Sequence, residues 1–208
     1  ASNTGEVVAI VLNLVLGGPL IFLPTQILWM NLITDGVTAV ALGLEPAEPD
    51  VMDQDHKRRD SRILGRSGFA VILVLGLYTG GASLWLFYSA LPAGEDYART
   101  LAFTAMVVFE KISVLAFRSL RLPGWRLGLL SNRLLLVALV LMLGLQVAAV
   151  YLEPLSTLLR TVPLSLADWG LIALLALPIL ILPDLGKAIA LRRAPAQPAD
   201  GAPAQTGL

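Results

Sequence analysis

Three polar residues and a glycine interrupt an apolar segment in the first quarter of the chain. Asn31 and Asp35 are four residues apart and Asn31 and Thr34 three apart, so on a helix their oxygen atoms share one face. Gly36 follows Asp35 and is expected to break the helix, freeing backbone carbonyl groups as further ligands. Oxygen atoms gathered inside a membrane segment suit a hard cation such as calcium. The alternative is a polar cluster that only holds helices together.

Three acidic residues lie deep in apolar segments, and they agree in depth. Glu6, Asp35 and Glu110 each lie about 12 or 13 residues from the predicted outer end of a segment, which is roughly 18–20 Å at 1.5 Å per residue. A carboxylate inside a bilayer is costly, and a shared cation site would explain why three of them lie at one level. Without a cation they would repel one another, which favours exchange of protons for metal.

The predicted ligands are the side-chain oxygens of six residues: Asn3, Glu6, Asn31, Thr34, Asp35 and Glu110. Asn3 is included because it is three residues before Glu6 and shares its helix face. Together these residues could supply the roughly six to eight oxygen ligands that calcium prefers. The chain has no cysteine and a single histidine, so zinc and copper fit poorly.

Six apolar segments must position these side chains: 1–18, 21–44, 67–91, 98–120, 132–152 and 166–191. Hydrophobic residues make up 56% of the chain and charged residues 14%, which is typical of a membrane protein. Basic and acidic residues balance at 15 each, so no nucleic-acid partner is predicted. The predicted fold is all-α, a polytopic membrane helix bundle of six transmembrane segments. The first segment is short for a full span, which we interpret as truncation of a longer protein.

The basic residues predict the orientation of the bundle. Of the 15 Lys and Arg residues, 12 lie in the 45–66 loop, the 118–133 loop or the end of the last segment. By the positive-inside rule these loops and the C-terminus are cytoplasmic. We predict a membrane domain over 1–193 and a disordered cytoplasmic tail, rich in Ala and Pro, over 194–208. The Ala/Leu/Arg-rich composition and the lack of cysteine favour a prokaryotic plasma membrane.

Four runs of the sequence resemble type II P-type ATPases, most closely the sarco/endoplasmic reticulum calcium pump and its prokaryotic relatives. They are residues 2–8 (SNTGEVV), 26–36 (QILWMNLITDG), 41–46 (ALGLEP) and 51–53 (VMD). The resemblance implies that the six segments are the fifth to tenth helices of a parent pump, with the first truncated. It also implies that ATP and magnesium act only through phosphorylation and nucleotide domains that this chain lacks.

The resemblance implies a role for each predicted ligand. Asn3 and Glu6 match fifth-helix ligands, and Glu110 matches the eighth-helix glutamate. Sixth-helix ligands are matched by Asn31, Thr34 and Asp35, and Asp35 corresponds to the aspartate that bridges two calcium ions. One ion site would be complete here, whereas the second would lack the ligands of the fourth helix.

Lys111 directly follows Glu110, and a lysine at this depth is unusual. Adjacent helix residues point about 100° apart, so we expect Lys111 to reach lipid headgroups or another helix rather than the cation site. In the alternative, its ammonium enters the site, substitutes for one calcium ion and leaves a single-ion pump.

The predicted function is that of the cation-binding and translocating membrane domain of an ATP-driven pump for calcium or a related divalent cation. The alternatives are a free-standing six-span ion channel or ion-coupled carrier, and a structural membrane domain that transports nothing. No ATPase activity is expected of the chain by itself. Its predicted partners are the lipid bilayer and, through loop 45–66, the cytoplasmic domains of the parent pump, together with the parent's N-terminal helices.

Overall fold

The computed structural model describes residues 2–43, 66–116 and 132–193. Within these ranges all regular elements are helical: α1 (Ser2–Leu16), α2 (Pro24–Leu28), a π-helical segment (Trp29–Thr34), α3 (Asp35–Gly43), α4 (Arg66–Ala90), a 3-10 turn (Leu91–Ala93), α5 (Glu95–Ala116), α6 (Arg133–Tyr151), α7 (Glu153–Leu159) and α8 (Leu166–Arg193). The all-α prediction is confirmed for this part of the chain. The 45–66 loop up to residue 65, the 118–133 loop up to residue 131 and the predicted tail at 194–208 lie outside the described residues.

Three of the described helices are long and apolar enough to cross a membrane: Gly68–Ala93, Arg133–Tyr151 and Leu166–Lys187. They correspond to three of the six predicted segments. The others are helical where they are described, but α1 has only 15 residues and the 21–44 segment is divided into three short elements. The described part of the fourth predicted segment, 98–120, lies in α5, whose mixture of charged and apolar residues lowers its hydropathy. The count of six spans therefore stays a prediction.

The central helix of the described bundle is α5. Helices α4, α6 and α8 pack against it, and α1 and α3 also touch it. Every residue from 98 to 111 is buried, including the large side chains of Phe103, Met106 and Phe109. Because this stretch has no exposed face, its polar side chains must find partners within the protein.

Helices α1 and α4 approach each other closely through glycine. A Cβ atom added to Gly80 would lie 2.6 Å from the backbone oxygen of Gly5 and 2.8 Å from the side chain of Val8. An added Cβ at the neighbouring Gly81 would meet no atom within 4 Å. Small residues at one helix face allow this backbone-to-backbone packing, which fixes the position of α1 in the bundle.

A buried hydrogen-bonded chain ties the π-helical segment to the centre of the bundle. The indole of Trp29 donates to the Gln146 side-chain oxygen at 3.3 Å, and the Gln146 amide donates to the Thr104 hydroxyl at 3.2 Å. Gln146 on α6 is fully buried, and its amide links the π-helical segment with α5. Such polar contacts hold helices in register where hydrocarbon surrounds them. Sequence reasoning missed Gln146, although a glutamine inside the most apolar segment was a signal.

Candidate cation site

The helix predicted to break at Gly36 is distorted one turn earlier. In the π-helical segment the backbone N–H of Asp35 donates to the carbonyl of Met30, five residues back. The Thr34 hydroxyl donates to the same carbonyl at 2.8 Å, and a side-chain bond of this kind widens a helical turn. Gly36 lies inside the regular helix α3, so the predicted position of the break was wrong.

Glu6 and Asn31 meet between α1 and the π-helical segment. The Asn31 amide nitrogen donates to the two carboxylate oxygens of Glu6 at 2.9 and 3.2 Å, and to the backbone oxygen of Ile27 at 3.0 Å. Glu6 is buried, and Asn31 is half-buried. The wide turn thus presents an amide to a carboxylate on a different helix.

Lys111 reaches another helix, as one of the two expected outcomes had it, but it pairs there with Asp35, a predicted ligand, which contradicts the expectation that it stays out of the predicted cation site. Its ammonium nitrogen lies 2.5 Å from Asp35 Oδ1 and 3.5 Å from the Thr38 hydroxyl oxygen. The Lys111 residue is only 1% exposed. The 100° offset from Glu110 does turn Lys111 away from that carboxylate, but α5 is enclosed at this level, so the direction that Lys111 takes leads to Asp35 on α3. Thr38, one turn after Thr34 on α3, was also missed.

Glu110 contributes a carboxylate without hydrogen-bond donors. The residue is 2% exposed, and neither carboxylate oxygen has a hydrogen-bond partner in the described part of the chain. Its carboxylate lies beside that of Glu6, close enough for the two to share a proton when no cation is bound, and it interacts electrostatically with Glu6, Asp35 and Lys111. A buried carboxylate beside two others, with no donor of its own, is the kind of group that a bound cation or proton satisfies.

The six predicted ligands are therefore arranged in different ways. Glu6, Asn31, Asp35 and Glu110 come together with Lys111, and we call these five residues the charged cluster. Thr34 is fully buried, and its hydroxyl donates to its own helix. Asn3 is exposed in the first turn of α1.

The cluster pairs its charges within the protein. In the ranges 2–43, 66–116 and 132–193, no group of three or more His, Cys, Asp or Glu side chains has a geometry that could hold a metal ion. Two halves are evident instead: Glu6 is bonded to Asn31, and Asp35 is bonded to Lys111. Glu110 is the member of the cluster whose oxygens accept no hydrogen bond within these ranges. The ligand set as a whole stays a prediction.

Comparison with known protein families identifies one that matches most of this chain. A family model described as the C-terminus of cation-transporting ATPases matches residues 19–189. The match includes the π-helical segment and the Glu110 and Lys111 positions of α5, and it begins after Glu6. It covers most of the chain and agrees with the apolar helices that are long enough to cross a membrane. The chain therefore belongs to the cation-transporting ATPases, as part of their C-terminal transmembrane region.

Proposed function

We propose that this chain is the cation-binding membrane domain of a pump that moves calcium, or a related divalent cation, at the expense of ATP. Within the family, the proposal follows the resemblance of the sequence to the sarco/endoplasmic reticulum calcium pump and its prokaryotic relatives. The observation that carries the proposal is the Glu110 carboxylate, buried beside Glu6 and Asp35 with no hydrogen-bond donor in the described part of the chain. The transported cation is the substrate that would supply the missing positive charge.

The chemistry of the donors supports a hard divalent cation. Carboxylate, amide and hydroxyl oxygens are the ligands that calcium and manganese take, and the cluster offers no softer atom. Anionic groups inside a membrane are expensive and are retained where they bind ions or move protons. Family membership favours a pump over the free-standing channel or carrier that the sequence left open.

The π-helical segment gives the proposed site its adaptability. Asn31 lies within this segment and Asp35 directly follows it. Side chains also bond to backbone carbonyls here, Asn31 to that of Ile27 and Thr34 to that of Met30. A small change in this turn would move the Asn31 amide relative to Glu6 and the Asp35 carboxylate relative to α5. Such discontinuities line ion sites in transport proteins. Phosphorylation in the cytoplasmic domains of the full pump would drive this change through loop 45–66, with that loop and the C-terminus cytoplasmic.

The experiment is a phosphorylation assay on the full-length pump carrying Asp35→Asn. The substitution keeps the side-chain volume, removes one negative charge from the cluster and leaves the Lys111 ammonium without its carboxylate. We expect calcium-dependent phosphorylation from ATP to be lost. Phosphorylation from inorganic phosphate, which requires the ion-free form, should survive and would show that the protein is folded.

The control is Asp168→Asn. Asp168 lies at the start of α8, where it accepts hydrogen bonds from Tyr97 and Ser165. This variant should keep the wild-type calcium dependence. Wild-type calcium dependence in Asp35→Asn would contradict the proposal, as would a wild-type pump whose phosphorylation responds to neither calcium nor manganese.

A further inference from the structure

We propose that Lys111 is a built-in cation of the transport site, so that the pump carries one divalent cation per cycle and Asp35 is reserved for the lysine. The inference rests on the proposed function and specifies the number of ions. Its basis is that the charged cluster has two halves. In one, Lys111 is paired with Asp35; in the other, the buried Glu110 carboxylate accepts no hydrogen bond within the described residues.

The first observation is that the Lys111 ammonium is enclosed within the helix bundle. Its side chain is fully buried, and α5 is enclosed over residues 98 to 111. Its ammonium contacts Asp35 Oδ1 at 2.5 Å and the Thr38 hydroxyl at 3.5 Å. Thr38 donates its own proton to the carbonyl groups of Thr34 and Asp35, so its oxygen is oriented to accept from the ammonium.

The second step concerns the ion that Asp35 would otherwise bridge. A divalent cation bound to Asp35 would share this carboxylate with an ammonium 2.5 Å from Oδ1. The two positive charges would then lie only a few ångströms apart in a poorly screened interior, where Coulomb repulsion is strong. The Asp35 half of the cluster therefore excludes a second cation while Lys111 is in place.

The third step is the charge balance. Three carboxylates and one ammonium leave the cluster with two formal negative charges, which one divalent cation neutralises. The remaining half has the ligands for it: the Glu6 carboxylate, the Asn31 side chain and the Glu110 carboxylate, whose two oxygens are buried and unpartnered within the described residues. A second divalent cation would leave two positive charges in the bundle, which is costly.

The test is the binding stoichiometry of calcium-45 to the purified full-length pump without ATP. Bound calcium is counted per site that inorganic phosphate can phosphorylate in the absence of calcium. We expect one calcium per site in the wild type and in Lys111→Arg. In Lys111→Met the second position opens, and the ratio should rise towards two.

The matched control is Lys187→Met. Lys187 is also a largely buried lysine with an aspartate partner, since its ammonium lies 2.9 Å from Asp184 Oδ1, but it is on α8. Its removal should leave one calcium per site. A ratio that rises equally in both variants would show a general effect of removing a lysine and would overturn the inference.

A second-site variant keeps the inference testable if Lys111→Met does not fold. Asp35→Asn alone leaves an unpaired ammonium next to the ion and should bind almost no calcium. Asp35→Asn combined with Lys111→Met removes both charges of the pair and should restore binding of one calcium per site. Failure of this rescue in a folded double variant would mean that Asp35 serves the ion directly.

The outcomes separate the inference from the proposed function. Two calcium ions per site in the wild type would overturn the role of Lys111 and leave a calcium pump. No binding of calcium or of manganese to a folded wild-type pump would overturn both.

Discussion

At the scale of single residues, the charged cluster separates groups that already have a partner from one that does not. Asp35 is bonded to Lys111 and Glu6 to Asn31, whereas Glu110 is buried with no donor in the described ranges. Glu110 and Lys111 are adjacent on α5 but point in different directions. Glu110 therefore belongs to the half with Glu6 and Asn31, and Lys111 to the half with Asp35. Substitutions that remove the charge but keep the size of the side chain can therefore test charge separately from packing at each position.

Glu6→Gln separates the effect of charge from that of packing in the half of the cluster that contains Glu6 and Asn31. The glutamine oxygen can still accept from the Asn31 amide, so the contact between α1 and the π-helical segment is kept. The negative charge is lost, and we expect the calcium concentration for half-maximal phosphorylation of the full pump to rise about tenfold or more, which corresponds to roughly 1.4 kcal/mol. The measurement is phosphoenzyme level against calcium at constant magnesium.

The control for this prediction is Glu153→Gln, at the exposed start of α7. It should leave the calcium dependence unchanged. If Glu6→Gln also left it unchanged while the protein stayed folded, the Glu6 carboxylate would be a structural group and would not be a ligand.

At the scale of elements, two features position the cluster: the π-helical segment and the tight contact of α1 with α4. The first turns Asn31 towards Glu6 and places Asp35 beside α5. The second holds Glu6 in place, since α1 packs along α4 where Gly5 and Gly80 leave no room for a side chain. A change in either element should therefore affect the cluster from a distance.

The α1–α4 contact makes adjacent glycines behave differently. Gly80→Ala would place a Cβ against the Gly5 backbone, and we expect the free energy of unfolding to fall by about 1–3 kcal/mol. Gly81→Ala meets no atom within 4 Å and should be neutral or stabilising by up to about 1 kcal/mol through helix propensity. Thermal unfolding of the purified pump in detergent measures both. Equal destabilisation by the two variants would contradict the close contact.

At the scale of the whole molecule, the sequence predicted the helical class and which carboxylates would meet, for reasons that can be named. The length and apolar composition of the segments indicated the helices, and counting residues from the predicted outer ends put Glu6, Asp35 and Glu110 at one level. Sequence alone did not predict the direction of Lys111, because that depends on which helix is central. An enclosed helix such as α5 is identified only by its neighbours, and its charged residues made it look less like a membrane segment than α4 or α6.

The position of the helix distortion also could not be predicted from the neighbouring residues in the sequence. Glycine conformational freedom suggested Gly36, but the wide turn ends at Thr34, whose hydroxyl bonds to the Met30 carbonyl. Side-chain hydrogen bonds and the anchoring of Trp29 to Gln146 decide this, and both depend on tertiary contacts. Thr38 was missed for the same reason, since its contact with the Lys111 ammonium depends on the direction of the Lys111 side chain.

The central claim is that the charged cluster binds the transported cation, and Glu110 tests it most directly. The measurement is equilibrium binding of calcium-45 to the full-length pump carrying Glu110→Gln, compared with Glu95→Gln at the exposed start of the same helix. We expect Glu110→Gln to lose high-affinity binding, because it removes the buried carboxylate that accepts no hydrogen bond in the described residues, while Glu95→Gln binds calcium like the wild type. Wild-type calcium binding by a folded Glu110→Gln pump would contradict the account.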